Sequence, residues 1–340
     1  MKAGTQAMPR IAFIGSLLTP GGSGVERAVR ELLKAYRKSC DVRVYCAPRE
    51  TKANKRQSSL GKLFRIFREQ IILPFALLRD RPDMAVAPAY VAPVLSHVPV
   101  ILYVYDLHVF THPETCTFAN RLHYRALMPL SLRRAKTIVV PSARVRDAIA
   151  ERFSGVVDKV RVVPLGVDRE RFAPADDAAF RERARTLSTR HGLPDRFALF
   201  VGNIAPRKNL AAIAGDGALP MPLVVAGRCD GEKPEGAIAL GRVSDEEIID
   251  LYRMAFALVH PAIDEGFGLT VLEAMACGCP VVASPNIAPE LIPGVAEVAT
   301  TTGEFAAALN RLAESPTLRG MAIKRGLAHA AGFDWRIPDL

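Results

Sequence analysis

The chain has 340 residues, 49% of them apolar and 24% charged, with a formal net charge of +10. That length supports two domains of about 150 residues, each able to bury its own core. No uninterrupted apolar run approaches the roughly 18 residues that a membrane-spanning helix needs; "IILPFALL" and "VPVILYVY" are the longest candidates, and they suit part of a helix and a strand.

Strand and helix patterns alternate from the start. In the first half, "RIAFIG", "VRVYCA", "MAVAP", "PVILYVYD", "KTIVVPS" and "KVRVVP" read as buried strands. Helices fit over 24–38, 60–79, 118–133 and 142–153. The opening "IAFIGSLL" has the apolarity of a signal-peptide core, but it lacks a small-residue cleavage site and runs into a glycine loop, so it is taken as the first strand. After the polar, proline-containing "PLGVDRERFAPADD" the alternation restarts. Its strands are "FALFVGN", "PLVVAG", "AIALG", "FALVHPA", "PVVAS" and "AEVA", with helices over 207–215, 244–254, 268–277 and 303–314. This alternation predicts an α/β chain of two doubly wound domains, each a parallel sheet covered on both faces. The expected domains are 1–170 and 171–340, with an interdomain cleft at the carboxyl ends of the strands.

Charge divides along the same line. Residues 1–170 hold 28 Lys and Arg against 14 Asp and Glu, whereas 171–340 hold 17 against 21. The basic half suits an anionic membrane surface or a phosphorylated acceptor. Nucleic acid would explain the basic half but none of the acidic motifs below. Residues 49–81 mix basic side chains with Leu, Phe and Ile at helical spacing, as an interfacial helix does; a solvated helix packing its apolar side on the core has the same pattern. The six cysteines (40, 46, 116, 229, 277 and 279) show neither a C-x-x-C pair nor metal-ligand spacing, the usage of reduced thiols in a cytoplasmic protein.

Four constellations sit where a strand gives way to a loop. "IGSLLTPGGSGVERAVREL" places Gly21, Gly22 and Gly24 before a helix, where free amides attract phosphate or a sugar hydroxyl. It is neither G-x-G-x-x-G nor a P-loop, and an ordinary strand-to-helix turn would look alike. "VGNIAPRKNL" puts Arg207 and Lys208 at the expected start of a helix. Two cations there oppose the local dipole unless an anion, such as a diphosphate, is bound. "FALVHPAIDEGFGLTVLEAMACG" brings Glu265 into a turn with Gly266, Phe267, Gly268 and Leu269, and Glu273 into the helix that follows. A carboxylate in such a turn accepts from sugar hydroxyls, and one on the helix accepts from a ribose; helix capping and solvation are the plainer alternatives. "VYDLHVFTHPE" clusters Asp106, His108 and His112 after an apolar strand.

"RKN", "EGFGLTVLEAMACGCPVVAS" and "PELIPG" resemble the nucleotide-sugar half of retaining GT-B glycosyltransferases of glycosyltransferase family 4. "PVILYVYDLHVFTHPE" and "SLRRAKTIVVPSARVRDAI" resemble that family's first domain, particularly its mannosyltransferase-like members. The resemblance covers roughly 10–335, and the two glutamates around the Gly-Phe-Gly turn are its most specific part. It implies two Rossmann-like domains, an NDP-sugar donor held mainly by the second and an acceptor held mainly by the first. It also implies that Arg207 and Lys208 hold the diphosphate, Glu265 the donor sugar and Glu273 the ribose, with Gly21 and Gly22 near the diphosphate.

The resemblance further implies GDP-mannose as favoured donor, mannose as favoured sugar, and a lipid-linked or oligosaccharide acceptor in cell-surface polysaccharide synthesis. The expected location is cytoplasmic, peripheral on the inner face of the plasma membrane. No Asp-x-Asp clamp occurs, so no metal or further cofactor is expected. Tyr105 stands where the family has a His before its Asp, which leaves Asp106, His108 or Tyr105 itself to act near the transferred sugar. A catalytically impaired nucleotide-sugar-binding partner subunit and an epimerase of GT-B shape are the rival readings.

Overall fold

The computed structural model describes residues 8–18, 24–46, 59–215, 217–228 and 235–339. They form two compact units, one on the chain up to Pro164 and rejoined by the stretch from Trp335, the other on Leu165–Asp334. The expected second domain ran on to residue 340.

The first unit carries a sheet of β1 (Arg10–Ile14), β2 (Asp41–Tyr45), β3 (Met84–Ala87), β4 (Val100–Tyr103), β5 (Thr137–Val140) and β6 (Val160–Val162). The order is β2-β1-β3-β4-β5-β6, and every pair is parallel. Parallel strands are covered on both faces, which is why β3 and β4 are apolar and buried throughout. The covering helices include α1 (Gly24–Ser39), α2 (Ser59–Phe67), α3 (Leu73–Asp80), the single turn α4 (His108–Thr111), α5 (Phe118–Arg134) and α6 (Ala143–Arg152). In α1, Ala28, Val29, Leu32, Leu33, Ala35 and Tyr36 recur at helical spacing and form its buried face.

The helix expected over 60–79 is present, broken by a π-turn at Arg68–Ile72, where the Leu73 amide reaches back to the Arg68 carbonyl. Pro74 follows; it has no N–H and its ring crowds the carbonyl four residues back, so a wider turn before it relieves the clash.

The second unit repeats the plan with β7 (Ala198–Val201), β8 (Leu223–Ala226), β9 (Ala237–Gly241), β10 (Ala257–His260), β11 (Val281–Ala283) and β12 (Glu297–Val298). Read from the other edge, the order is β9-β8-β7-β10-β11-β12, again all parallel. This is the doubly wound order in which the winding reverses between the first and fourth strands of the sheet, here β7 and β10. Its helices are α7 (Ala178–His191), α8 (Asp245–Met254), α9 (Leu269–Ala276), α10 (Thr302–Glu314) and α11 (Pro316–Ala330).

Two helices were not legible in the apolar period. Only Leu187 is buried in α7, although Asp177 caps its start, accepting from the Phe180 amide at 2.7 Å, and Gly192 ends it in the left-handed region. In α11 the buried face is Ala322, Gly326 and Ala330, small residues that let Met275 of α9 approach. The helix expected over 207–215 is absent. Pro206–Lys208 and Leu210–Ala212 form separate 3₁₀ turns, because Asn209 adopts a left-handed conformation (φ 51°) that interrupts an α-helical ladder. The dipole argument for Arg207 and Lys208 therefore loses its helix.

The loops after β7 and β8 touch through glycine. The Gly202 amide donates to the Ala226 carbonyl at 2.9 Å, and a Cβ on Gly227 would lie 1.9 Å from the Gly202 carbonyl oxygen. Gly227→Ala should destabilise the second unit by about 2–3 kcal/mol, as overpacking against backbone does. Chemical denaturation checks this, and a loss below about 0.5 kcal/mol would show that the loops part freely.

Candidate active site

The winding of the second sheet reverses between β7 and β10, and diverging loops at such a point leave a crevice beyond the strand ends. The loop after β7 carries Arg207 and Lys208, and the loop after β10 carries Glu265. Backbone bonds hold these loops in register. The Ile263 amide donates to the Arg207 carbonyl at 2.9 Å, and the Glu265 amide donates to the Asn286 carbonyl at 3.1 Å. Beneath them the Ser284 hydroxyl donates to the Ala262 carbonyl at 2.5 Å.

The three charged side chains converge. Lys208 Nζ donates to Glu265 Oε2, and Arg207 Nη1 lies 3.3 Å from the same oxygen and 3.4 Å from the Asp264 carbonyl. Glu265 keeps 16% side-chain exposure and Lys208 11%, so the pair is largely, though not fully, withdrawn from water. Burial alone would push the Glu265 carboxyl up; the Lys208 ammonium, helped by Arg207, outweighs it and holds the group well below the usual carboxylate range. One carboxylate thus faces two cations, and the cluster keeps an excess positive charge suited to an anion.

His260, the last residue of β10, lies under this cluster and was missed in the sequence. Its ring is 1% exposed, with Nε2 3.7 Å from Glu265 Oε2, beyond hydrogen-bond reach. Burial pushes its pKa down, so the imidazole stays neutral. The available signal was its place, the first polar residue at the end of an apolar strand.

Gly266, Phe267, Gly268 and Leu269 are all buried and lead into α9. Gly268 takes a left-handed conformation (φ 107°) at the helix start, where a Cβ would lie 3.3 Å from Leu291 Cδ1. Glu273 is 1% exposed, and Tyr252 of α8 donates to its Oε2 at 3.1 Å. The structure therefore brings Arg207, Lys208 and Glu265 together and places Glu273 on the helix behind the turn. Gly21 and Gly22 lie outside the described residues.

In the first unit, Asp106 follows β4 and is fixed from three directions. Tyr90 donates to its Oδ2 at 2.8 Å, while the His108 amide and ring Nδ1 lie 3.2 and 3.1 Å from Oδ1. Tyr90, in the loop after β3, was also missed. His112 faces Glu114 at 3.4 Å. Tyr105 packs edge-on against Tyr90, and its buried hydroxyl has no hydrogen-bond partner among the described residues. Burial pushes its pKa far up, so the phenol stays protonated.

Residues 22–171 match the profile described as Glycosyltransferase Family 4, and residues 195–315 match Glycosyl transferases group 1. The chain is 29% identical over 321 residues to the O-antigen chain mannosyltransferase B of Escherichia coli, covering 84% of this chain and 83% of that one. The chain belongs to glycosyltransferase family 4.

In structure it is similar to sucrose-phosphate synthase from Thermosynechococcus elongatus, with a TM-score of 0.72 at 20% identity over 96% and 94% of the two chains. It is also similar to Anabaena HepE in complex with UDP-glucose, with a TM-score of 0.69 at 19% identity over 96% and 95%. These likenesses establish the GT-B fold, and the family establishes a glycosyltransferase.

Because Glu265 is held low, its ion pairs stabilise the folded chain above the ordinary unfolded value of about 4.3, and that stability is lost as pH falls through the lower folded value. Wild type should exceed Glu265→Gln by roughly 1–3 kcal/mol from about pH 5 to 8, with the gap closing below about pH 4. Denaturant titrations across pH check this; a gap unchanged into strong acid would mean that the carboxylate charge is not what stabilises the cluster.

Proposed function

We propose that this family 4 glycosyltransferase moves a hexose, with mannose favoured, from an NDP-sugar, with GDP-mannose favoured, to a lipid-linked or oligosaccharide acceptor in cell-surface polysaccharide synthesis. The observation that carries this reading is the convergence of Arg207, Lys208 and Glu265 at the reversal point of the second sheet. Breaking the glycosidic C–O bond of an NDP-sugar leaves negative charge on the departing diphosphate. Fixed cations at those oxygens are the main lever on such a step. Before the donor binds, Glu265 occupies both cations; an incoming diphosphate competes for them and frees the carboxylate to accept from the sugar's hydroxyls.

The proposed reaction retains the anomeric configuration and uses no metal clamp, so Arg207 and Lys208 carry the charge stabilisation. Front-side attack fits a site without an obvious protein nucleophile, the leaving diphosphate itself helping to take the acceptor's proton. Mannose is supported by the Escherichia coli relative's name. A nucleotide-sugar donor is supported by the UDP-glucose in the HepE complex. In this reading Glu273 receives the ribose after exchanging its bond to Tyr252, and Asp106 and His108 serve the acceptor side.

A membrane-borne acceptor is supported by the surface of the first unit. Phe64, Phe67, Ile71, Phe75 and Leu78 recur at intervals of three and four along α2, the π-turn and α3, and all are exposed, Phe75 by 70%. On α5, Phe118 and Leu122 are exposed as well, with Arg121 over the Phe118 ring and Arg68 over that of Phe64. Apolar side chains ringed by arginine suit the headgroup level of an anionic bilayer. Among the described residues no helix is long and apolar enough to cross a membrane.

Three outcomes test the reading. GDP and GDP-mannose should raise Tm in a thermal-shift screen, and a chain indifferent to every nucleoside diphosphate and NDP-sugar would refute it. Lys208→Ala should lower kcat by roughly 100-fold or more, whereas undiminished turnover would remove Lys208 from the mechanism. Replacing both Phe67 and Phe75 with Ser should cut cosedimentation with phosphatidylglycerol vesicles about 10-fold or more. Equal binding by the variant would place the contact elsewhere.

A further inference from the structure

Cys116 closes a chain of side chains that begins at Tyr90. The Tyr90 hydroxyl donates to Asp106 Oδ2 at 2.8 Å, Asp106 Oδ1 faces His108 Nδ1 at 3.1 Å, and His108 Nε2 faces Cys116 Sγ at 3.2 Å. The carboxylate accepts from Nδ1, which places the neutral ring's proton there and leaves Nε2 as an acceptor for the thiol proton. A carboxylate that orients an imidazole, which in turn faces a thiol, is the arrangement that activates a cysteine nucleophile.

The geometry points to Cys116 as a reactive thiol that takes low-molecular-weight disulfides, with His108 as its base and Asp106 as the positioning residue. This assignment rests on the array alone and is independent of the sugar-transfer reading. In the step, His108 Nε2 takes the Cys116 proton and Sγ attacks one sulfur of the disulfide along its S–S axis. A new S–S bond forms to Cys116 as the old one breaks. The departing thiolate collects the proton from His108, so one sulfur of the pair is reduced while Cys116 is oxidised to a mixed disulfide.

Cys116 differs from the other described cysteines in setting. Cys40, Cys277 and Cys279 are buried, whereas Cys116, like Cys46, keeps partial exposure, and of the two it is Cys116 that faces an imidazole. Burial pushes the Cys279 thiol up to about 12 and also raises those of Cys40, Cys46 and Cys277, a direction that suppresses thiolate formation. An adduct on Cys116 would stand beside Asp106 and His108, so the array supplies a covalent switch next to residues assigned to the acceptor side.

The test is adduct formation on the full chain, read by mass. Glutathione disulfide and, separately, iodoacetamide are applied to native protein, and peptide mapping scores each cysteine. Cys116 should be modified first, and at least about 10-fold faster than in His108→Gln. Asp106→Asn should slow it as well. Native Cys116 left unmodified by both reagents, or reacting equally fast in a His108→Gln protein of unchanged Tm, overturns the assignment. Should His108→Gln fail to fold, the Asp106→Asn rate decides by the same criterion.

Discussion

One carboxylate between two cations organises the second unit. Glu265 is withdrawn from water, and a buried carboxylate is tolerated only where charge and hydrogen bonds replace its hydration. Lys208 and Arg207 supply both, and they come from a loop some fifty-seven residues earlier in the chain. The cluster therefore depends on β7 and β10 being neighbours, on the Arg207 carbonyl meeting the Ile263 amide, and on Gly202 and Gly227 letting the adjacent loops touch. Remove any of these and the cations lose the geometry that brings both onto one carboxylate oxygen.

In the reaction proposed above, a carboxylate displaced by the diphosphate would offset part of the cations' attraction and become available to the sugar in the same event. His260, neutral and buried beneath Glu265, adds bulk without adding a third charge. The first unit follows a different logic. Its polar group is Asp106, held by Tyr90 and His108, while Tyr105 beside it stays protonated.

The first unit also leaves a row of large apolar side chains in water along α2, the π-turn and α3. Five such residues on one face cost solubility unless something covers them. Arginines lie over two of the exposed rings in this region, which is the feature the proposed anionic bilayer contact rests on.

Parallel pairing and most elements were legible because buried parallel strands must be apolar runs and amphipathic helices must repeat near 3.6 residues, whereas the order of the strands came from the fold. Arg207, Lys208 and Glu265 could be singled out by their place after strand ends, although the helix invoked for the two cations is replaced by short turns. What the pattern could not carry was α7, whose buried face is a single leucine, and α11, whose buried face is alanine and glycine. Nor could it reveal the left-handed Asn209 that replaces an expected helix with two short turns. The contacts of His260 beneath Glu265, Tyr90 with Asp106, and Cys116 with His108 were decided only by tertiary structure. Each joins a loop to a neighbouring loop or strand end, and side-chain contact between separate segments is set by strand adjacency and loop packing, which leave no period in the chain.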